Sequence, residues 1–149
     1  MLVRTGKYAG KTAEEILLKS PDWAEWLIAT HPKNDLVPEF GRLVGIFDAK
    51  PFVRTCWGCG EPATRASAYR GGIADDLYFW CDSCDHYSTG AFSGKLVIVK
   101  SFQSALNHVR YNCGGSRTDK RLIIRELGRA KGLPKRVGAS QAVAFFKTL

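Results

Sequence analysis

The sequence predicts an α+β fold with a helical beginning, a central β-hairpin and a basic helical end, and three observations support this prediction. Apolar residues recur at helical spacing in the first and last thirds of the chain. Two Cys-x-x-Cys pairs frame the middle third, and an aromatic stretch typical of a strand runs into the second pair. We therefore divide the chain into a helical module over 1–50, a zinc ribbon-like segment over 51–100 and a basic helical segment over 101–149.

The first segment contains signals for three helices. A capping box at 12–15 predicts a helix that starts at about Ala13. Serine followed by proline at 20–21 predicts a second helix, which ends before Pro32. Apolar residues then repeat at i, i+4, i+7 and i+11 over 36–47, which predicts a third helix.

Two tryptophans lie three positions apart on the second predicted helix. Trp23 and Trp26 share this helix with Leu27, and the i, i+3 placement favours a role in the core. The alternative is that these rings stack on nucleic-acid bases. We predict that both tryptophans belong to the core.

Residues 1–31 also carry a recognisable pattern. It consists of Gly6-Lys7-Tyr8-Ala9-Gly10-Lys11-Thr12, Glu14-Glu15, Pro21-Asp22-Trp23 and Trp26-Leu27. The pattern resembles a small module at the C-terminus of exodeoxyribonuclease X-like proteins and in short phage and bacterial proteins, and it covers about a fifth of the chain. The resemblance implies a link to DNA metabolism and a phage or mobile-element origin. It implies no nuclease activity, because the acidic metal-binding residues of that exonuclease belong to a separate domain.

Four cysteines have the spacing of a metal site. Cys56, Cys59, Cys81 and Cys84 form the pattern C-x2-C-x21-C-x2-C, which is typical of structural zinc. The intervening chain predicts a hairpin, with an extended stretch over 64–69 and a strand over 77–80. We expect a structural Zn²⁺ with no chemistry at the metal, since four cysteines leave no open coordination position. Two further residues, His86 and Cys113, remain open as additional or replacement ligands.

Further strands and helices follow the second cysteine pair. The stretches 91–92 and 96–99 predict strands, and Ser101 predicts the start of a helix that ends near Cys113. A helix over about 118–131 and a last short helix over 140–146 complete the segment. Together with the glycine-containing turn between them, these two helices have the outline of a helix-turn-helix.

The net charge of +8 is confined to the last third of the chain. Residues 101–149 hold ten basic and two acidic residues, whereas basic and acidic residues balance in each of the other two thirds. Four arginines of the predicted helix recur every fourth position and form a ridge, and three more cations follow them. The predicted nucleic-acid contacts are Arg117, Arg121, Arg125, Arg129, Lys131, Lys135 and Arg136. Like charges four positions apart repel each other, so phosphates are the expected counterpart.

These features predict a nucleic-acid-binding protein without catalytic activity, with DNA favoured over RNA. Aromatic residues of the hairpin, Tyr69, Tyr78, Phe79 and Trp80, are candidate stacking groups. One alternative is a phage-type interaction factor or inhibitor that binds an acidic or nucleic-acid-processing host protein. A second alternative is a zinc-finger nuclease of the His-Asn-His kind, built from His86, Asn107 and His108. No apolar run reaches the length of a membrane span, so we expect a cytoplasmic protein with no membrane partner.

Overall fold

The computed structural model describes residues 1–4, 6–84 and 95–147. Three helices come first, followed by a small sheet and three more helices, which confirms the α+β fold class. The helices are α1 (Ala13–Lys19), α2 (Pro21–Thr30), α3 (Leu36–Ala49), α4 (Phe102–Asn112), α5 (Arg117–Arg129) and α6 (Ala139–Lys147). The strands are β1 (Arg65–Tyr69), β2 (Tyr78–Trp80) and β3 (Leu96–Val99). The strand predicted at 91–92 lies outside the described residues.

Side-chain caps fix the starts of several helices where the sequence predicts them. The Thr12 hydroxyl accepts a hydrogen bond of 3.1 Å from the Glu15 amide at the start of α1. Ser101 and Ser104 form a reciprocal capping box at the start of α4. These caps satisfy amides that have no partner within the helix.

The sheet places β1 in the centre, with β2 and β3 antiparallel on either side. Phe79 and Trp80 of β2 are both buried although they point to opposite faces, because the cysteine knuckles cover one face and the helical core the other. The Trp80 indole donates a buried hydrogen bond of 2.8 Å to the Ser67 hydroxyl. The prediction that Phe79 or Trp80 is available for stacking is therefore wrong, and Tyr78 is only half-buried.

One main hydrophobic core joins the first and last parts of the chain. It extends from Val3 to Phe146, and α1 packs against α3, α5 and α6. The helix α2 also packs against α5. The core thus runs across the segment boundaries suggested by the sequence.

The connection between α5 and α6 covers residues 130–138. It is longer than the three- or four-residue turn of a helix-turn-helix. Within the described ranges, no helix combines the length and the apolar character needed to cross a membrane.

Candidate functional site

The four cysteines of the predicted metal site come together in space. The sulfur atoms of Cys56, Cys59, Cys81 and Cys84 all lie within 4.8 Å of one another, and the Cys59 and Cys81 sulfurs are 3.6 Å apart. A tetrahedral ion with metal–sulfur bonds of about 2.3 Å requires sulfur–sulfur distances of about 3.8 Å. The cluster therefore has the size and the donor set of a site that can hold a metal ion.

The first cysteine pair is held in a tight turn by its own backbone. The Cys56 amide donates to the Glu61 carbonyl at 2.6 Å, and the Gly60 amide donates to the Cys56 carbonyl at 2.9 Å. Gly60 has a φ of +78°, a conformation that side chains with a Cβ rarely adopt. The turn thereby directs both sulfurs of this pair to the same side.

The second pair is positioned by the sheet. Strand β2 leads directly into Cys81, and Arg65 at the start of β1 donates a hydrogen bond of 2.6 Å to the Cys84 carbonyl. Thr64 donates a second bond of 2.6 Å to the Asp82 carboxylate. Since these contacts join residues far apart in sequence, the second pair depends on the folded sheet.

The two pairs approach so closely that any side chain at Gly58 would crowd the cysteine sulfurs. A Cβ on Gly58 would lie 3.0 Å from the Cys84 sulfur, and the Gly58 amide donates to the Cys56 sulfur at 3.3 Å. An amide that donates to a ligand sulfur stabilises the thiolate form that metals bind. The donor set and this cradle both fit a metal ion.

The surroundings of the cluster shift the pKa values of Cys56 and Cys84 in opposite directions. Burial opposes ionisation of Cys56, but the amides of Cys81, Gly58 and Cys59 outweigh it and lower the pKa of Cys56 to about 6. Hydrogen bonds with the neighbouring cysteine sulfurs, together with burial, raise the pKa of Cys84 to about 12. Four sulfurs this close repel each other as thiolates, and a divalent cation between them would reverse that repulsion.

Cys113 and His108 do not join the four-cysteine cluster. The Cys113 sulfur lies 3.4 Å from His108 Nε2, away from the four-cysteine site. His108 is only 1% exposed, and burial, together with the charge of Arg70, lowers its pKa. His108 is therefore unavailable as a base for an external substrate, which removes one residue of the nuclease alternative. His86 lies outside the described residues.

The predicted nucleic-acid contacts fall into two groups, and Lys131 belongs to the internal one. It is only 4% exposed, and its ammonium donates to the Phe47 carbonyl at 2.8 Å and the Asp48 carbonyl at 3.2 Å. Burial lowers its pKa, partly offset by Asp48. The prediction that Lys131 contacts a phosphate is wrong, because its charge is used to cap the end of α3.

Two arginines of the ridge already have carboxylate partners. Arg121 forms a two-pronged ion pair with Asp22 of α2, with distances of 2.9 and 3.3 Å. Arg129 lies 3.6 Å from the Glu126 carboxylate on its own helix. Both side chains keep part of their surface in solvent, but their charges are partly neutralised by the protein.

The remaining four predicted cations have no ion pair within the part of the chain that the structure describes. We call Arg117, Arg125, Lys135 and Arg136 the basic surface. Arg125 donates to the Lys135 carbonyl at 3.1 Å, which ties α5 to the turn that follows it. A cleft of about 330 Å³ runs beside this contact, and its three arginines outnumber its two acids. It is lined by Asp75, Thr118, Arg121, Leu122, Arg125, Glu126 and Arg129. Its arginines match the donor geometry that binds phosphate oxygens.

A second cleft brings the predicted contact Arg117 together with Arg110 and Lys120, two cations that the sequence did not single out. It measures about 470 Å³ and is lined in part by Trp26 of α2, Arg110 of α4, and Arg117 and Lys120 of α5. Trp26 is 50% exposed, so its predicted place in the core is wrong, whereas Trp23 is partly buried against Phe40. The buried positions of α2 are Pro21, Ala24 and Leu27, and Trp26 lies on the opposite side of the helix. The three-residue spacing of Pro21, Ala24 and Leu27 was the sequence signal that could have indicated the buried face of α2 and the exposure of Trp26.

Comparisons with protein-family models, with curated proteins and with solved structures found no match to this chain.

Proposed function

We propose that this protein is a non-catalytic nucleic-acid-binding protein of phage or mobile-element type, in which zinc stabilises the middle of the fold and the basic surface contacts phosphates. DNA is the favoured nucleic acid, because the resemblance of residues 1–31 to the exodeoxyribonuclease X module implies a link to DNA metabolism. This proposal places the protein in the cytoplasm.

Zinc is the proposed metal because of the ligand chemistry. Four thiolates in a compact tetrahedral arrangement are typical of structural zinc and of iron–sulfur sites, and two Cys-x-x-Cys knuckles on a hairpin favour zinc. Bound there, zinc would cross-link the 56–59 turn to the end of β2, and it would supply no reaction chemistry because no ligand position is open.

The distribution of charge is the observation that carries the proposal. Ten basic residues against two acidic ones occupy 101–149, and the four cations of the basic surface keep their charge without a carboxylate partner in the described ranges. Like charges that lie close together, such as those of Arg125 and Lys135, repel each other unless an anion binds. A phosphate backbone supplies regularly spaced anions and releases its own counterions on binding, which favours association.

Binding titrations with labelled oligonucleotides test this proposal. The wild-type protein should bind DNA more tightly than RNA, and the affinity should fall steeply between about 50 and 200 mM salt. The double variant Arg125→Glu/Lys135→Glu should weaken binding about tenfold or more, because it reverses two charges of the basic surface. The matched control is Lys33→Glu/Lys100→Glu, which changes the net charge equally at exposed positions elsewhere in the chain.

The outcomes separate nucleic acid from an acidic protein partner. Polyglutamate, which carries carboxylates but no phosphates, should displace the oligonucleotide poorly. Equal losses in the two double variants would show that binding follows net charge alone and would contradict a role for the basic surface. Displacement by polyglutamate at the same charge concentration would favour the acidic-protein alternative instead.

A further inference from the structure

The cleft between α2 and the facing parts of α4 and α5 has the composition of a base-binding subsite. We propose that it holds an unpaired base of single-stranded nucleic acid against the ring of Trp26, while neighbouring cations contact the adjacent phosphates. The inference rests on the proposed function and adds to it the strand form and the stacking residue.

Trp26 is a large, rigid and accessible aromatic surface. Two aromatic rings lie next to it: the Trp23 ring centroid is 6.4 Å away and the His31 ring centroid is 5.3 Å away. Trp23 is in turn anchored against Tyr8 and Phe40. The ring of Trp26 thus has aromatic neighbours, yet half of its surface stays exposed to solvent. Stacking on a base would cover this apolar surface.

A single exposed tryptophan is common in proteins and does not by itself indicate a binding site. The charged residues around Trp26 are the additional observation that indicates one. The cleft is lined by the cations Arg110, Arg117 and Lys120 and by the acids Asp22 and Glu25. One oxygen of Glu25 lies 2.6 Å from the Arg110 guanidinium and 2.7 Å from the Lys120 ammonium. Glu25 therefore holds these two cations in place while neutralising only one of their two charges.

The cleft keeps a net positive charge after its internal pairs are counted. Asp22 is paired with Arg121, and Arg117 has no carboxylate partner among the residues described. The volume of about 470 Å³ lies within the range of roughly 300–1,000 Å³ typical of ligand sites. An aromatic ring beside surplus positive charge is the arrangement by which proteins bind single strands without reading sequence.

The stacking geometry favours a single strand over a duplex. Bases in a duplex cover each other's faces, so only an unpaired base can offer its face to Trp26. Helix α5 connects this cleft to the arginine-lined cleft of about 330 Å³, since Arg117 lines the first while Arg121 and Arg129 line the second. The rise of the helix over 117–129 is about 18 Å, so both clefts lie within the length of a short single strand, with Asp75 and Glu126 among the residues that line the second.

The test compares tryptophan variants on oligonucleotides with and without bases. The probes are thymidine and uridine oligomers of about 12 nucleotides, an abasic oligomer with the same number of phosphates, and a duplex of the same length. Trp26→Leu should weaken binding to the thymidine oligomer about 5- to 100-fold and leave the abasic oligomer unaffected. Trp26→Phe should keep most of the affinity, because phenylalanine retains an aromatic face. The DNA and RNA arms distinguish the two sources of an unpaired base.

Trp57→Leu is the matched control, because Trp57 is 57% exposed and belongs to the cysteine knuckle rather than to the cleft. An unchanged affinity of Trp26→Leu, an equal loss in Trp57→Leu, an equal loss on the abasic oligomer, or tighter binding of the duplex would each overturn the inference. Those results leave the proposed function intact as long as the wild-type protein binds. If the wild type binds none of these probes at low salt, the proposed function fails as well.

Discussion

Repeated spacing in the sequence predicts both the cysteine cluster and the C-terminal cations, but the structure brings together all members of the first set and only some members of the second. All four cysteines meet within 4.8 Å, whereas the seven predicted cations divide into internal and external groups. Lys131 and Arg121 have partners inside the protein, while Arg117 and Arg136 do not have one in the described part of the chain. A four-ligand metal site requires all of its ligands in one place. A charged surface can still bind an anion when some of its cations are paired with carboxylates or carbonyls of the protein itself.

Removal of the metal should have the largest effect, and this effect should be limited to the region around the cysteine cluster. We expect one zinc per chain, and chelation should open the two cysteine knuckles, where Cys56, Trp80 and Cys81 form a small cluster of their own, since zinc binding contributes about 10 kcal/mol or more in small zinc domains. The main core from Val3 to Phe146 joins the helices and part of the sheet but includes none of the four cysteines, so it should remain folded. Hydrogen exchange with and without chelator measures both regions.

Two cysteine variants sharpen this prediction. Cys81→Ser should abolish stoichiometric zinc binding, whereas Cys113→Ser should leave the zinc content unchanged because its sulfur contacts His108 instead. Zinc loss in Cys113→Ser would show that the ligand set is different. Uniform exchange in the presence and absence of chelator would show that no structural metal is bound.

Replacement of Lys131 should show that this cation stabilises the fold. Lys131→Met removes the donor to the Phe47 and Asp48 carbonyls and should cost about 1–3 kcal/mol in the free energy of unfolding. The exposed Lys135→Met should change that free energy by about 0.5 kcal/mol or less. Urea denaturation compares the two, and equal stabilities would contradict the division into internal and external cations.

The buried His108 predicts a pH dependence that is independent of the basic surface. Because its pKa is lowered in the folded state, the unfolded chain takes up a proton first as the pH falls. The stability contributed by the neutral ring is present above about pH 6.5 and is lost as the pH falls through the lower folded-state pKa, by at most about 1.4 kcal/mol per pH unit.

Urea denaturation of wild type and His108→Gln at several pH values isolates this contribution, because any protonation of the four-cysteine site is common to both proteins. The wild type should lose more stability than the variant between neutral and acidic pH. Parallel pH profiles for the two proteins would rule out His108 as the source.

Substitution of Asp22, the ion-pair partner of Arg121, should have the smallest effect. It tests whether Arg121 can contact nucleic acid once its carboxylate partner is removed. Asp22→Asn should cost at most about 1 kcal/mol of stability, because the arginine is partly exposed. It should also free the Arg121 guanidinium and tighten oligonucleotide binding severalfold. The Asp35→Asn substitution removes an exposed carboxylate elsewhere and serves as the control. A tightening that is equal in both variants would mean that Arg121 is not involved.

Local patterns predicted the parts of the fold that depend on local interactions. The apolar repeat over 36–47 predicted the buried face of α3, and the capping signals at Thr12 and Ser101 predicted two helix starts. The cysteine spacing succeeded because each pair is a short turn and the hairpin between the pairs is itself predictable.

The failures concern interactions between residues that are distant in sequence. Asp22 and Arg121 are 99 positions apart, so their pairing leaves no periodic signal. The sequence predicts a surface position for Lys131 because it does not reveal that the end of α3 packs beside this residue. It predicts a core position for Trp26 because the large apolar side chains of α2 hide the pattern of Pro21, Ala24 and Leu27, which form the buried face of this helix.

The salt dependence of single-stranded DNA affinity tests the account most directly. If each of the four cations of the basic surface neutralises one phosphate, this surface should contribute about −2.8 to the slope of log K against log salt. The slope should become less negative by about 1.4 in Arg125→Ala/Lys135→Ala at unchanged zinc content. A slope near zero in the wild type, or the same slope in both proteins, would contradict phosphate binding by this surface.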